Sequence, residues 1–158
     1  MELPGVTLRP ITAADDAFLF RLYASVREQE LAPVPWSDEQ KTAFLRHQFD
    51  LQHQHYTSNY PGATLDVIEV EGEPAGRLYV CPRAAEIRIM DIAFLPAFRG
   101  RGLGTKFLEQ LQDLGRRTGR TVTIHVEREN PALKLYQRLG FEIAGDVGVY
   151  WFLEWTPR

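Results

Sequence analysis

The stretch Phe94-Leu95-Pro96-Ala97-Phe98-Arg99-Gly100-Arg101-Gly102-Leu103-Gly104-Thr105-Lys106 joins the end of an apolar strand to the start of an amphipathic helix through a glycine-rich, doubly basic turn. Three glycines at alternate positions let consecutive backbone N–H groups point into one concavity. The new helix adds unpaired donors and the positive end of its dipole, and Arg99 and Arg101 add permanent charge. This is the chemistry of a phosphate cradle, with a basic surface loop as the plainer alternative.

Before that turn, Val6 to Arg9 alternates like a short strand closed by Pro10, and Phe18, Leu19, Leu22, Tyr23 and Val26 recur at helical spacing after Asp15 and Asp16. Glu30 to Trp36, with two prolines, reads as a loop. Ser37 to Gln40 is a capping-box pattern that opens a second helix to about Gln54. Thr64 to Val70 and Ala75 to Cys81 form a hairpin about a Glu71-Gly72-Glu73-Pro74 turn, and Glu86 to Leu95 is a longer strand. After the glycine turn, Leu103, Phe107, Leu108, Leu111 and Leu114 define a helix whose end Gly115 and Gly119 fray. Val122 to Val126 is a buried strand. Asn130-Pro131 reads as an N-cap with proline at N1, opening a short helix to Leu139, and Phe141 to Ala144 with Val149 to Trp155 form a last strand pair. The order β-α-α-β-β-β-α-β-α-β-β predicts an α+β fold, a mostly antiparallel sheet with one strand-helix-strand crossover at the glycine turn.

A chain of 158 residues suits one domain, 1–158, burying roughly two thirds of its unfolded surface. No apolar run approaches the ~20 residues that span a bilayer, so no membrane partner is expected. Met1 to Gly5 carries neither a basic nor an apolar leader, which makes a cytoplasmic location the expectation. The net charge of −3 argues against nucleic acid, the Arg116, Arg117 and Arg120 cluster reading as a solvated helix end. Cys81 stands alone, which excludes an internal disulfide and a thiolate metal cluster; it reads as a small strand residue. His53 and His55 lack a Cys or carboxylate partner at ligand spacing, so no metal is expected.

Spacing narrows the phosphate ligand. A dinucleotide fold wants Gly-x-Gly-x-x-Gly in an early turn, whereas Gly100, Gly102 and Gly104 are evenly spaced and late; a triphosphate loop needs Gly-Lys-Ser/Thr, and this chain has Gly104-Thr105-Lys106. Arg99-Gly100-Arg101-Gly102-Leu103-Gly104 instead resembles the acyl-CoA signature of the GNAT superfamily of N-acyltransferases. Asn130, Leu133, Leu135-Tyr136 and Gly140-Phe141 match its second signature. The resemblance covers nearly the whole chain, since Leu8-Arg9-Pro10 followed by Asp15-Asp16 also looks like the usual opening of such proteins.

The resemblance implies a sheet of about seven strands flanked by about four helices, and acetyl-CoA as co-substrate. Ile92, Ala93 and Phe94 would offer backbone groups to the pantetheine arm. Arg99, Gly100, Arg101, Gly102, Leu103, Gly104 and Thr105 would hold the pyrophosphate. Asn130 would bond the pantetheine amide, with Leu133 and Tyr136 completing the site. The implied reaction is acetyl transfer to a primary amine of a small molecule or peptide, by direct attack through a tetrahedral intermediate. In the family a tyrosine at the Tyr136 position commonly protonates the departing sulfur, although helix spacing equally suits a core tyrosine.

An alkylammonium near pKa 10 is neutral in only about one part in two thousand at pH 7, so a base is expected on the amine side. Glu86, Asp91, His125 and Glu127 are the candidates. His125 lies where some relatives that acetylate protein N-termini carry a glutamate base; at another base position used by histone-acetylating relatives this chain has Arg88. The polar, aromatic segments around Trp36 and from Gln52 to Tyr60 suit the lip of an acceptor pocket. Trp151 or Trp155 would mark a homodimer edge if exposed, and core if not. A non-catalytic acyl-CoA-binding sensor is the alternative function.

Overall fold

The computed structural model describes residues 3–158; Met1 and Glu2, on which part of the leader reading rests, lie outside the described residues. Among these the strands are β1 (Val6–Pro10), β2 (Thr64–Val70), β3 (Glu73–Pro82), β4 (Glu86–Phe94), β5 (Thr121–Glu127), β6 (Glu142–Val147) and β7 (Tyr150–Trp155). They form a seven-stranded sheet in the order β1-β2-β3-β4-β5-β7-β6. Every neighbouring pair is antiparallel except β4 and β5. That parallel pair needs a crossover, which α3 (Leu103–Thr118) supplies directly after the glycine turn. The mixed α+β architecture and its element order are those the spacing predicts.

Strand alternation sends two sets of apolar side chains to opposite faces. On one face Leu78, Val80, Ile87, Ile89, Val122, Ile124 and Leu153 pack with Phe107 and Leu108 of α3 and with Tyr136 of α4 (Leu133–Arg138). On the other, Phe18, Leu19 and Leu22 of α1 (Asp16–Leu31) and Leu45 and Phe49 of α2 (Asp38–Asn59) pack on Val67. His125, Glu127 and Tyr150 stay exposed on β5 and β7.

Several boundaries move for local reasons. Ser37 caps α2 as expected, its Oγ accepting from the Gln40 N–H at 3.1 Å while Gln40 Oε1 accepts from the Ser37 N–H at 2.9 Å. The helix outruns Gln54 to Asn59 because its polar end is satisfied internally: Thr57 Oγ1 donates to the His53 carbonyl and Asn59 Nδ2 to that of His55. Likewise α1 enters the expected loop, ending at the buried Leu31. Pro10 joins β1 at the sheet edge, where a missing N–H costs no ladder bond.

Gly115 does not fray. It is buried inside α3, where a Cβ would stand 2.7 Å from the Arg120 carbonyl oxygen and 3.0 Å from the Trp155 ring. Trp155 is itself core, 6% exposed, so it marks no dimer edge. At the sheet's first strand, Arg9 grips Asp15 with two hydrogen bonds of 2.9 and 2.8 Å and Glu69 with a third of 3.1 Å. The Arg9 guanidinium holds the buried Asp15 carboxyl down at about 2.

Candidate active site

The β4–β5 ladder runs from Glu86 opposite Thr121 to Ile89 opposite Ile124 and stops there. Beyond that rung β4 remains paired with β3 alone and β5 with β7 alone, so the two strands part. The register shift between Tyr79 and Val80 leaves Met90 as an extra residue, a bulge that bends β4 at the parting. The edge of β4 through Ile92, Ala93 and Phe94 therefore faces a cleft in which no strand pairs with it, and an extended ligand arm can take a strand's place.

The glycine turn closes one end of this cleft. Gly100 and Gly102 lie in the left-handed region at φ 75° and 77°, with open space where side chains would stand. Gly104, by contrast, is ordinary helix, so two glycines rather than three shape the concavity. Leu103, Gly104 and Thr105 form the first turn of α3, where N–H groups have no intrahelical acceptor. These donors, beside two side-chain-free positions, fit a pyrophosphate.

The Arg99 side chain is not free for that ligand. Its Nε donates to the Phe94 carbonyl at 2.9 Å and its Nη2 to Ser25 Oγ on α1 at 3.4 Å, while its backbone N–H goes to Pro96. Arg101 lies over the Phe98 ring, 5.1 Å from its centroid. Asn130 stands before α4 rather than capping it: its Oδ1 accepts from the Ala132 N–H at 2.8 Å, and the helix begins at Leu133. The Asn-Pro pair makes a side-chain-closed turn instead of an N-cap with proline at N1.

Tyr136 is 6% exposed, edge-on to Phe141 at 5.8 Å between centroids. Burial, and then the negative charge of Asp91, push its phenol above the usual tyrosine range. Asp91 lies two residues past the last β4–β5 rung; its Oδ2 accepts from Arg77 Nε at 2.5 Å. His125, the first β5 residue past that rung, packs against Phe152 at 5.1 Å, and burial and Arg88 lower its pKa below 6.5. Asp91 and His125 thus stand on the two parting strands, and Glu127 follows opposite Tyr150.

Glu86 stands farther back on the ladder from Asp91, though its charge reaches His125 and opposes the lowering of that pKa. It opens β4, five residues and roughly 16 Å of strand before Asp91. Both its oxygens are occupied, by Arg83 and Arg88 at 3.0 and 3.1 Å and by Thr123 Oγ1 at 3.0 Å. Arg88 also bonds Thr123 Oγ1 at 2.8 Å, so this end of the ladder is a closed polar cluster.

Arg77 and Tyr79, which sequence reasoning does not single out, lie buried behind Asp91; an arginine inside the apolar run Ala75 to Cys81 is the signal available. Tyr56 of α2 reaches the same place, its hydroxyl 3.3 Å from the Met90 carbonyl and its ring edge-on to Tyr60 and Tyr79. His53 stacks on Phe49 and His55 bonds Asn59, so the two point to different partners. Cys81 is buried. No helix among the described residues is long and apolar enough to cross a membrane.

The parted strands and the glycine turn form a cleft built for an extended, phosphate-bearing ligand, and comparison with known proteins places it. Residues 21–141 match the model of the acetyltransferase (GNAT) family. The N-alpha-acetyltransferase RimI of Mycobacterium tuberculosis is 32% identical over 141 residues, covering 89% of this chain and 80% of that one. Among solved structures, the PaiA N-acetyltransferase of Thermoplasma acidophilum in complex with coenzyme A superposes with a TM-score of 0.72 at 14% identity, covering 96% of this chain and 98% of that one. YncA, a putative acetyltransferase of Salmonella typhimurium with acetyl-CoA, gives 0.60 at 23% identity, covering 98% and 95%.

The chain belongs to the GNAT acetyltransferase family. It is an acetyl-CoA-dependent N-acetyltransferase.

Proposed function

We propose that residues 1–158 work as one cytoplasmic domain that moves the acetyl group of acetyl-CoA to a primary amine of a small molecule or a peptide. The observation that carries this reading is the free β4 edge at Ile92, Ala93 and Phe94, where the β4–β5 ladder stops, joined directly to the open Gly100 and Gly102 turn at the start of α3. The N-alpha-acetyltransferase activity of the mycobacterial relative supports peptide N-termini as one acceptor class.

Acetyl-CoA supplies an activated thioester. The Gly100–Thr105 backbone would hold its pyrophosphate, the free edge at Ile92, Ala93 and Phe94 would align its pantetheine, and Asn130 and Leu133 would bound the arm on the β5 side. A backbone N–H near Phe94 would stabilise developing oxyanion charge.

Tyr136 keeps its proton at neutral pH because burial and Asp91 disfavour the phenolate. Its hydroxyl is therefore a hydrogen-bond donor for the departing sulfur. Complete proton transfer from an ordinary phenol to a thiolate near 8.5 is uphill by roughly 2 kcal/mol, and the raised pKa makes it more so. The hydroxyl donates its hydrogen bond to the sulfur as the C–S bond breaks, and the proton that the thiol gains is balanced by the one that the attacking nitrogen releases, so Tyr136 ends protonated.

On the amine side, His125 is neutral at pH 7 because its pKa is lowered, and it takes the ammonium proton through water. Glu86, whose two oxygens already accept from Arg83, Arg88 and Thr123, acts here through its charge, which opposes the lowering of the His125 pKa. Free-thiol release from acetyl-CoA, followed across amines, polyamines, amino acids and peptides, tests the reading. Acceptor-dependent release supports it; tight acetyl-CoA binding with no release on any acceptor supports the sensor alternative.

A further inference from the structure

We propose that Arg77 is a positioning residue for the amine acceptor: it holds one oxygen of the Asp91 carboxylate from behind and so turns the other toward the incoming nitrogen. The inference rests on the acetyl-transfer reading above. Arg77 is 3% exposed, on the face of β3 that α1 and α2 cover. Its Nε donates to Asp91 Oδ2 at 2.5 Å, and its Nη2 donates to Gln52 Oε1 on α2 at 2.8 Å. The guanidinium lies over the Tyr79 ring, 4.7 Å from its centroid, and the buried Tyr79 hydroxyl has no hydrogen-bond partner among the described residues.

This arrangement constrains one atom. A planar guanidinium fixed on two acceptors and one ring cannot rotate, so the oxygen that it holds is fixed as well. Asp91 Oδ1 makes no hydrogen bond among the described residues, and the side chain is 28% exposed where the cleft between β4 and β5 begins. The Asp91 charge is felt by Tyr56, Tyr79 and Tyr136, phenols on three different elements around that cleft. Burying an ion pair is expensive, and apolar residues of similar size often serve stability as well or better. What the pair supplies here is a carboxylate oxygen of fixed direction. An acceptor ammonium or amine that donates to Oδ1 is held in the cleft with its remaining positions turned toward the thioester and His125.

The test uses the full chain and an acceptor identified by thiol release. Asp91→Asn and Arg77→Met are each expected to lower acceptor kcat/KM at least thirtyfold, with the acetyl-CoA Kd unchanged within twofold. The Arg77→Met/Asp91→Asn double variant is expected to be no worse than the poorer single variant, and Arg77→Lys to recover only part of the loss. Gln52→Leu frees one arm of the guanidinium without stranding a charge, which keeps the proposal testable if Arg77→Met fails to fold. It should cost three- to tenfold in acceptor kcat/KM with the same unchanged Kd. Wild-type acceptor kinetics in Asp91→Asn or Gln52→Leu would overturn the proposal, as would multiplicative losses in the double variant. Absence of turnover in the wild type would instead overturn the transferase reading.

Discussion

The Nε–H of Arg99 reaches back to the carbonyl oxygen of Phe94 at 2.9 Å, tying the start of the glycine turn to the last residue of β4. The free strand edge and the phosphate cradle are thereby one unit. Arg99→Ala is expected to weaken acetyl-CoA binding about tenfold by calorimetric titration, because it releases the geometry between the two. Arg101→Ala removes a charge stacked on Phe98 and should cost less, about threefold, with a shallower salt dependence.

His125 predicts a pH profile. Its pKa lies below 6.5, so the unprotonated base is already the major form at pH 7 and is lost only as the pH falls through the lowered value. The acid limb of acceptor kcat/KM should bend below pH 6.5, and His125→Gln should abolish the bend while lowering the plateau at least tenfold. Tyr136, with its pKa pushed above the usual tyrosine range, should contribute no alkaline limb below pH 10.

Asp15 predicts acid lability. Its carboxyl titrates at about 2 in the folded chain and near 3.8 when unfolded, so its contribution is complete above about pH 4 and disappears as the pH falls toward 2. Arg9 is partly exposed, so the contribution after screening is about 1–2 kcal/mol. Asp15→Asn should lower stability by that amount at pH 7 in urea unfolding, and the difference from wild type should shrink steadily below pH 4.

Gly115→Ala separates helix propensity from packing. Propensity alone would favour alanine by about 1 kcal/mol in a helix interior. The new methyl would, however, sit 2.7 Å from the Arg120 carbonyl oxygen, a backbone atom with little room to yield. A net loss of about 1–3 kcal/mol is expected from thermal unfolding.

Features determined by a few consecutive residues were legible in the sequence. The Ser37 cap, the β4-to-α3 crossover and the helical stripe of α3 all follow from local patterns and stand where expected. Features determined across the sheet were not. Nothing near Gly115 announces that Arg120 and Trp155 crowd it, and nothing near Asp91 announces Arg77, 14 residues away, or Gln52 on α2. Polar residues from His53 to Asn59 hide the end of α2 because they satisfy the helix by bonding back to it rather than by burying an apolar stripe. The candidate bases illustrate the same limit: composition lists Glu86 beside Asp91 and His125, and only the strand register shows that Glu86 sits in a polar cluster on the paired part of the ladder while Asp91 and His125 stand past its last rung.

Tyr136 serves the departing sulfur in the proposed reaction, beyond its place in the core. Thiol release by Tyr136→Phe, measured beside its acetyl-CoA affinity, isolates that role, because the ring that packs on Phe141 is kept and only the hydroxyl is lost. The expected rate is at least tenfold below wild type with acetyl-CoA affinity nearly unchanged. An unaltered rate would remove Tyr136 from the chemistry.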